Sequence, residues 1–231
     1  MLKTLKSLKT LEIRILIVAA ALATLALSPA LAAAEVYKID GAHSQVNFSI
    51  RHMVSRVQGR FRTFTGEITL DKDNPAASKV TAEIDATSID TGNEKRDGHL
   101  KSDDFFKTEK NPKITFVSTG VTAATKDKLS VAGNLTMAGV TKPVTLDVTI
   151  NGFMPDMQPG AQRAGFEAKT KVNRQDYGIN WNKTLDAGGV ILGDDVDITI
   201  TVEASTAPKD LPKVEEKKGT APADKKPAPG K

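Results

Sequence analysis

Apolar and polar residues alternate two by two along most of the chain between residues 45 and 204. In residues 45–53, for example, Val46, Phe48 and Ile50 fall on one face and polar residues on the other. This spacing is typical of a strand that buries one face and exposes the other to water. It predicts eight principal strands, at residues 45–53, 57–70, 79–89, 114–121, 128–137, 143–150, 165–172 and 196–204.

The order and spacing of these strands predict a mainly β fold. Short connections at residues 123–127 and 138–142 are typical of antiparallel hairpins, and strands that are apolar on both faces, as in a parallel α/β sheet, are absent from the sequence. A closed antiparallel barrel and a two-sheet sandwich are both compatible with this pattern. Small residues at predicted inward positions, such as Ala82, Gly133 and Ala168, favour an eight-stranded barrel with a cavity.

One strand of the predicted barrel contains an irregularity. An extra residue between Phe61 and Phe64 interrupts the alternation of apolar and polar residues. A bulge or bend at this point lets a long strand curl, as closure of a barrel requires.

Residues 89–106 break the alternation and predict a short helical segment. Thr91-x-x-Glu94 has the spacing of a capping box, in which two side chains bond to free backbone N–H groups at the start of a helix. Gly98 weakens a helix, so one or two turns are expected.

The role of this segment has two interpretations. It is either a solvated crossover whose Phe105 and Phe106 close one end of the core, or a lid over a cavity. In the second case Arg96, His99 and Leu100 line the opening. Periodicity does not decide between the two.

The two ends of the chain differ from its middle. Residues 1–34 carry four basic residues, then the apolar run 15–27 and small residues that allow cleavage after Ala32 or Ala34, which is the order found in a secretory signal peptide. A retained membrane anchor is the rival interpretation, but this run is shorter than the roughly 20 residues that span a bilayer. Residues 207–231 are rich in Pro, Lys and Ala and predict a disordered tail. The predicted domain is 35–206, and the leader predicts a periplasmic or secreted protein.

The formal net charge of +4 does not indicate nucleic-acid binding. The excess of basic residues lies in the predicted leader and in the tail, so the predicted domain is slightly acidic and has no basic groove. Lysines of the tail allow a transient contact with an anionic membrane surface, although a solvated tail is the simpler interpretation. The oligomeric state stays open between monomer and homodimer.

Residues able to support catalysis or hold a metal are few. The chain has no cysteine, which excludes disulfides and thiol chemistry. His43 and Ser44 are neighbours on a strand and point to opposite faces, so they cannot share a proton. The spacing of His43, His52 and His99 is not typical of a metal site. We therefore predict that the protein is not an enzyme and uses neither a metal nor a cofactor.

Residues 176–182 place the only tryptophan, Trp181, near Tyr177 at the end of a strand. One interpretation is a packing cluster at a corner of the fold. The other is the mouth of a cavity, where both rings present an apolar body and a polar tip to a ligand.

Several separated motifs stand out within residues 35–205. They are Asp40-Gly41-Ala42-His43-Ser44, Ser88-Ile89-Asp90-Thr91-Gly92-Asn93, Arg96-Asp97-x-His99-Leu100, Asp103-Asp104-Phe105-Phe106, Pro112-x-Ile114-x-Phe116, Gly139-Val140-Thr141-Lys142, Asn173-Arg174-x-Asp176-Tyr177-Gly178 and Gly193-Asp194-Asp195-Val196. Together, and in this order, they resemble the YceI-like family of bacterial secreted lipid-binding proteins. The agreement of many separated segments makes the resemblance specific, and the tail lies outside it.

The resemblance implies an extended, lipocalin-like barrel around one long apolar chain, such as a polyisoprenoid quinone or a fatty-acid-like amide. It implies no catalytic residue, because ligand contacts in the family are mostly inward side chains. The inward positions predicted to surround the chain are Phe48, Ile50, Phe61, Ile84, Phe116, Leu135, Leu146 and Phe166. The lid and mouth interpretations add Phe105, Phe106 and Trp181, with head-group or rim contacts at Arg51, Arg96, His99 and Tyr177.

The first functional hypothesis is therefore a periplasmic, non-enzymatic carrier that sequesters an isoprenoid lipid or a fatty-acid-like amphiphile. The alternative is a non-catalytic envelope domain that binds proteins, which predicts a filled core and an exposed apolar patch. A hydrolase that uses Asp or His at the cavity mouth is the third hypothesis.

Overall fold

The computed structural model describes residues 34–186 and 188–208. The predicted signal peptide lies almost entirely outside these residues, as does the predicted tail beyond residue 208. Both stay predictions.

The described residues form eleven strands and one α-helix in chain order. Three short 3-10 helices, Pro75–Ala77, Ala86–Ser88 and Arg174–Tyr177, join some of them. The strands are β1 (Glu35–Ile39), β2 (Gln45–His52), β3 (Ser55–Phe61), β4 (Phe64–Leu70), β5 (Lys79–Asp85), β6 (Ile89–Asp90), β7 (Lys113–Thr125), β8 (Lys128–Met137), β9 (Val140–Pro155), β10 (Gln162–Asn173) and β11 (Leu192–Thr206). The helix is α1 (Glu94–Lys101).

These strands close into an antiparallel barrel. The ladder runs β1–β4–β5–β7–β8–β9–β10–β11, and β11 pairs again with β1. The strands β2, β3 and β6 continue the courses of β1, β4 and β5 beyond short breaks, with β2 paired to β11 and to β3. The predicted eight-stranded barrel with one helix is therefore confirmed, and the predicted break between Phe61 and Phe64 separates β3 from β4.

The breaks in three neighbouring strand courses bend the barrel wall. At the second break the backbone N–H of Arg62 donates to the carbonyl oxygen of Ser88, which belongs to the third break. Beyond these breaks β6 pairs with β3, whereas β7 pairs with β5 and β8. The sheet therefore separates between β6 and β7, and α1 follows directly after β6.

Two ends of the barrel can now be defined. The helix end comprises the turn between β2 and β3, α1 with the segment that follows it, and the loop between β10 and β11. The Tyr37 end comprises the start of β1, the β4–β5 loop and the β9–β10 loop. A large apolar cluster fills the region from the middle of the barrel to the helix end. A smaller cluster, Tyr37, Ile68, Leu70, Ala164, Phe166 and Ala204, closes the Tyr37 end.

The start of α1 corrects one prediction. The N-cap is Asn93, whose side-chain oxygen accepts from the backbone N–H of Arg96 at 3.0 Å, so the predicted Thr91-x-x-Glu94 capping box is wrong. Gly92, at a positive φ of 72°, turns the chain between Thr91 and the helix, a conformation that glycine adopts without steric cost. The hydroxyl of Thr91 instead donates to the carboxylate of Asp97 at 2.5 Å.

Candidate ligand-binding site

The barrel encloses an apolar cavity of about 610 Å³. A volume of this size lies within the range of about 300–1,000 Å³ that is usual for small-molecule sites. The wall consists mainly of inward side chains of the strands. It includes every residue that the sequence predicted as cavity-lining: Phe48, Ile50, Phe61, Ile84, Phe105, Phe106, Phe116, Leu135, Leu146, Phe166 and Trp181. Their contact with a ligand stays a prediction.

Two inward glycines keep large rings against the wall. A Cβ atom at Gly133 would lie 2.4 Å from Cζ of Phe116, and one at Gly59 would lie 2.3 Å from Cζ of Phe48. Both distances are far below van der Waals contact, so any larger residue forces these rings to move. The glycines thus leave each phenylalanine ring the space that it occupies beside the neighbouring strand.

The ionisable groups on the cavity wall are all basic. They are His52, Lys95, Arg96, His99 and Arg174, and the wall, as far as the structure describes it, contains no Asp or Glu. Lys95 is solvent-exposed, so the cavity reaches the surface at the helix end. The Arg96 guanidinium donates from Nε to the Thr91 hydroxyl at 2.7 Å and from Nη2 to the Thr91 carbonyl at 3.0 Å. These bonds fix Arg96 beside the opening.

An aromatic cluster lines the cavity at the helix end. The ring of His99 lies edge-on to Phe105 at 5.0 Å and to Trp181 at 4.9 Å between centroids. Phe105 and Trp181 are themselves 5.3 Å apart. Edge-to-face arrangements at these distances are favourable beyond simple burial. His99 is further held by a contact of 2.8 Å between its Nε2 and the carboxylate of Asp104.

The segment after α1 packs through two phenylalanines. Phe105 packs against Trp181 in the β10–β11 loop, whereas the next residue, Phe106, packs edge-on against Phe61 of β3 at 5.8 Å. Phe61 belongs to β3 and Trp181 to the β10–β11 loop, so the segment contacts two separate elements. These contacts are compatible with the lid interpretation and with a crossover whose phenylalanines close one end of the core.

A buried arginine organises the loop that carries Trp181. Arg174 is 3% exposed. It donates to the carbonyl oxygens of Ile179, Trp181 and Gly193 and to the carboxylate of Asp194. Burial lowers the pKa of this guanidinium, and the charge of Asp194 opposes that shift. Through these hydrogen bonds Arg174 holds the β10–β11 loop in place. In the sequence, Arg174 stood out only as part of a family motif.

Two of the predicted rim residues, Tyr177 and Arg51, do not line the cavity. Tyr177 is 1% exposed and packs in the core, outside the cavity wall. Its hydroxyl has no hydrogen-bond partner among the described residues, and burial raises its pKa to about 12. Arg51 lies on β2 between the inward residues Ile50 and His52, so strand alternation points it outward.

His43 lies apart from the other two histidines. His43 is exposed and bonds to the carboxylate of Asp40 at 2.8 Å, and this hydrogen bond raises the pKa of His43. His52 and His99 lie on the cavity wall. In the part of the chain that the structure describes, no three His, Asp or Glu side chains are placed to hold a metal ion. Across that same part, no helix is long and apolar enough to cross a membrane.

Comparisons with known proteins agree with this architecture. The family model of the YceI-like domain matches residues 37–204. A UPF0312 protein of Staphylococcus aureus is 43% identical over 170 residues, which is 73% of this chain and 96% of the relative. A similar protein of Staphylococcus epidermidis is 41% identical over the same shares of the two chains.

Solved structures show the same fold. The YceI protein of Campylobacter jejuni is 33% identical, with a TM-score of 0.59 over 73% of this chain and 96% of its own. A domain from Saccharophagus degradans, described as polyisoprenoid-binding, is 17% identical, with a TM-score of 0.53 over 74% of this chain and 98% of its own, and supports the fold alone. The chain belongs to the YceI-like family.

Proposed function

We propose that the protein is an exported, non-enzymatic carrier that holds one long-chain isoprenoid lipid, or a fatty-acid-like amphiphile, in the barrel. The observation that carries the proposal is the apolar cavity of about 610 Å³ with only basic ionisable groups on its wall. Membership in the YceI-like family supports it. The filled core that a protein-binding domain requires does not fit this cavity.

Burial of an apolar chain supplies the binding energy. Each Å² of apolar surface removed from water contributes about 25 cal/mol. A prenyl tail of several hundred Å² therefore gains on the order of 10 kcal/mol before the entropic costs of association. No catalytic group is needed for this task.

The head group of the ligand belongs at the helix end in this proposal. Lys95 and Arg96 supply charged hydrogen-bond donors there, and His52 and His99 add ring nitrogens, so this end favours a head group rich in acceptor oxygens. The apolar tail then extends towards Phe166 at the Tyr37 end. This orientation satisfies the polar head near water and buries the tail, as expected for an amphiphile.

Export rests on the predicted signal peptide, and the periplasm or the extracellular space is the proposed location. The absence of cysteine leaves the fold independent of the redox state of that compartment. The proposal requires one barrel for one ligand and holds for a monomer or a homodimer.

The test is identification of the bound lipid. The purified protein is extracted with organic solvent and the extract is analysed by mass spectrometry, and emptied protein is then offered a long-chain isoprenoid quinone or a fatty amide. A protein that carries no lipid and takes up neither compound contradicts the proposal.

A matched pair of variants shows whether uptake uses the cavity. Ala168 lies on the wall, and the next residue, Lys169, points outward and is exposed. Ala168→Phe fills the cavity and should lower lipid uptake at least about tenfold, at an overpacking cost of about 1–3 kcal/mol. Lys169→Phe adds a similar ring outside and should leave uptake unchanged. Equal uptake by both variants would place the lipid elsewhere.

A further inference from the structure

Exposed apolar residues project from the helix end beside the cavity mouth. Met53 and Val54 form the turn between β2 and β3, and Val54 is fully exposed. Val190, also exposed, lies in the β10–β11 loop. The two elements adjoin, because the backbone N–H of Met53 donates to the carbonyl oxygen of Ile191 at 2.7 Å. His52 and Ile191, the neighbours of these residues in the chain, line the cavity.

The turn also carries an unusual backbone. Met53 has a φ of 50°, in the left-handed region that non-glycine residues rarely adopt. Asn, Asp or Gly would adopt it more readily and would be more soluble at an exposed turn. A methionine and a valine at this turn lower both its stability and its solubility. Contact with an apolar environment gives a reason for their presence.

Three cations near this apolar tip form no salt bridge within the part of the chain that the structure describes. Arg51 precedes it on β2, Lys183 bonds through its carbonyl oxygen to the backbone N–H of Ile191, and Lys95 lies at the cavity mouth. None of the three forms a salt bridge with a described residue, whereas many other surface cations do. Five acids of this end, Glu94, Asp97, Glu109, Asp176 and Asp186, also form no salt bridge with a described residue, so the excess of positive charge is small.

The Tyr37 end provides a contrast. It also exposes apolar side chains, among them Phe153, Met154 and the fully exposed Met157. Two of the cations there are engaged: Lys72 lies over the Phe153 ring and pairs with Glu35, and Arg163 pairs with Asp156 and Glu203. The β4–β5 loop adds the acids Asp71 and Asp73, so an anionic surface is attracted less to the Tyr37 end than to the helix end.

We propose that the helix end docks on an anionic phospholipid bilayer through Met53, Val54 and Val190. Lipid can then pass between the bilayer and the cavity without crossing water, a use of docking that rests on the proposed carrier function. A few apolar side chains combined with nearby cations give weak, reversible membrane binding. Reversibility is what a carrier that collects and delivers lipid requires.

The test is cosedimentation of the full chain with phospholipid vesicles. Vesicles of phosphatidylcholine with about one quarter phosphatidylglycerol should bind the protein more tightly than vesicles of phosphatidylcholine alone, and added salt should weaken binding. Val54→Asp should weaken binding to the anionic vesicles about tenfold. Met157→Asp introduces the same charge at an equally exposed residue of the Tyr37 end and should leave binding unchanged.

Several outcomes overturn the docking proposal: no binding to either vesicle, equal loss in both variants, or no preference for the anionic lipid. Because Val54 and Met157 are fully exposed, neither substitution removes a packing contact. Uptake of an isoprenoid quinone from an ethanol dispersion is measured in parallel. Uptake of the quinone without binding to vesicles would refute the docking proposal and leave the carrier function standing. Binding to vesicles without uptake of lipid would refute the carrier function and leave docking standing.

Discussion

At the Tyr37 end the barrel is closed by residues of its own strands, whereas at the helix end a segment from outside the sheet lies across the opening. Tyr37, Ile68 and Phe166 belong to strands that are hydrogen-bonded on both sides. The helix α1 contains no buried residue, and the side chains that hold it and the segment after it are His99, Leu100, Phe105 and Phe106. One closure is part of the ladder, and the other rests on the packing of side chains.

This difference indicates which end of the barrel can open. Separating two paired strands breaks a row of backbone hydrogen bonds, and the sheet resists it cooperatively. Lifting the segment after α1 breaks aromatic contacts at two residues and leaves the ladder intact. Local stability is low where few apolar contacts hold an element. We therefore expect ligand to enter and leave at the helix end, where the basic residues of the wall also lie.

The largest expected effect comes from a pair of phenylalanines of equal burial. Phe166 is 5% exposed at the Tyr37 end and Phe105 is 6% exposed at the helix end. Phe166→Ala should lower the free energy of unfolding by about 3–5 kcal/mol, because it leaves a cavity inside the ladder. Phe105→Ala should fall at the low end of that range, about 3 kcal/mol, and raise the rate of lipid dissociation about tenfold. Denaturant titration and ligand-exchange kinetics measure the two quantities.

If the two variants show the same loss of stability and the same rate of lipid dissociation, the two ends of the barrel do not differ in the way described. Equal losses of stability with unchanged dissociation rates in Phe105→Ala would make the segment after α1 a structural crossover, as in the first interpretation of the sequence. Faster dissociation in Phe166→Ala alone would move the exit to the Tyr37 end.

A smaller effect is expected from the buried arginine that frames the helix end. Arg174→Gln leaves backbone carbonyl oxygens at Ile179, Trp181 and Gly193 without their donor, and it should cost about 2–3 kcal/mol of the free energy of unfolding. Lys171→Gln, which removes only exposed ion pairs, is the control and should cost less than about 0.5 kcal/mol. If Arg174→Gln proves as mild as its control, the loop is held by other contacts.

The smallest effect is expected at Tyr177. Its hydroxyl is buried without a partner, so Tyr177→Phe should change the free energy of unfolding by less than about 1 kcal/mol and in the stabilising direction. Lipid uptake should stay the same, since Tyr177 does not line the cavity. A clear loss of uptake would show that this hydroxyl reaches the ligand in the loaded protein.

Strand positions and the inward face were predictable because they follow from a period of two. Phe48, Ile84 and Leu135 lie on the cavity wall for that reason, and the same rule, applied to Arg51, points it outward. The contacts of Arg174 and Tyr177 were not predictable, because they join residues of a loop and of separate strands that only the closed barrel brings together. The cap of α1 was missed because Gly92 turns the chain after Thr91, a local conformation that the capping-box spacing does not reveal.

The central claim is that a lipid occupies the barrel with its head group at the helix end. Trp181, the only tryptophan of the chain, lies on the cavity wall at that end. A quinone ring placed beside it quenches its fluorescence, so titration of the emptied protein with a long-chain isoprenoid quinone should give saturable quenching at one quinone per barrel. The same quinone bearing a short tail should quench weakly, because most of the binding energy comes from burial of the chain. Unchanged Trp181 fluorescence at full loading, or equal quenching by the short-tailed quinone, would contradict the account.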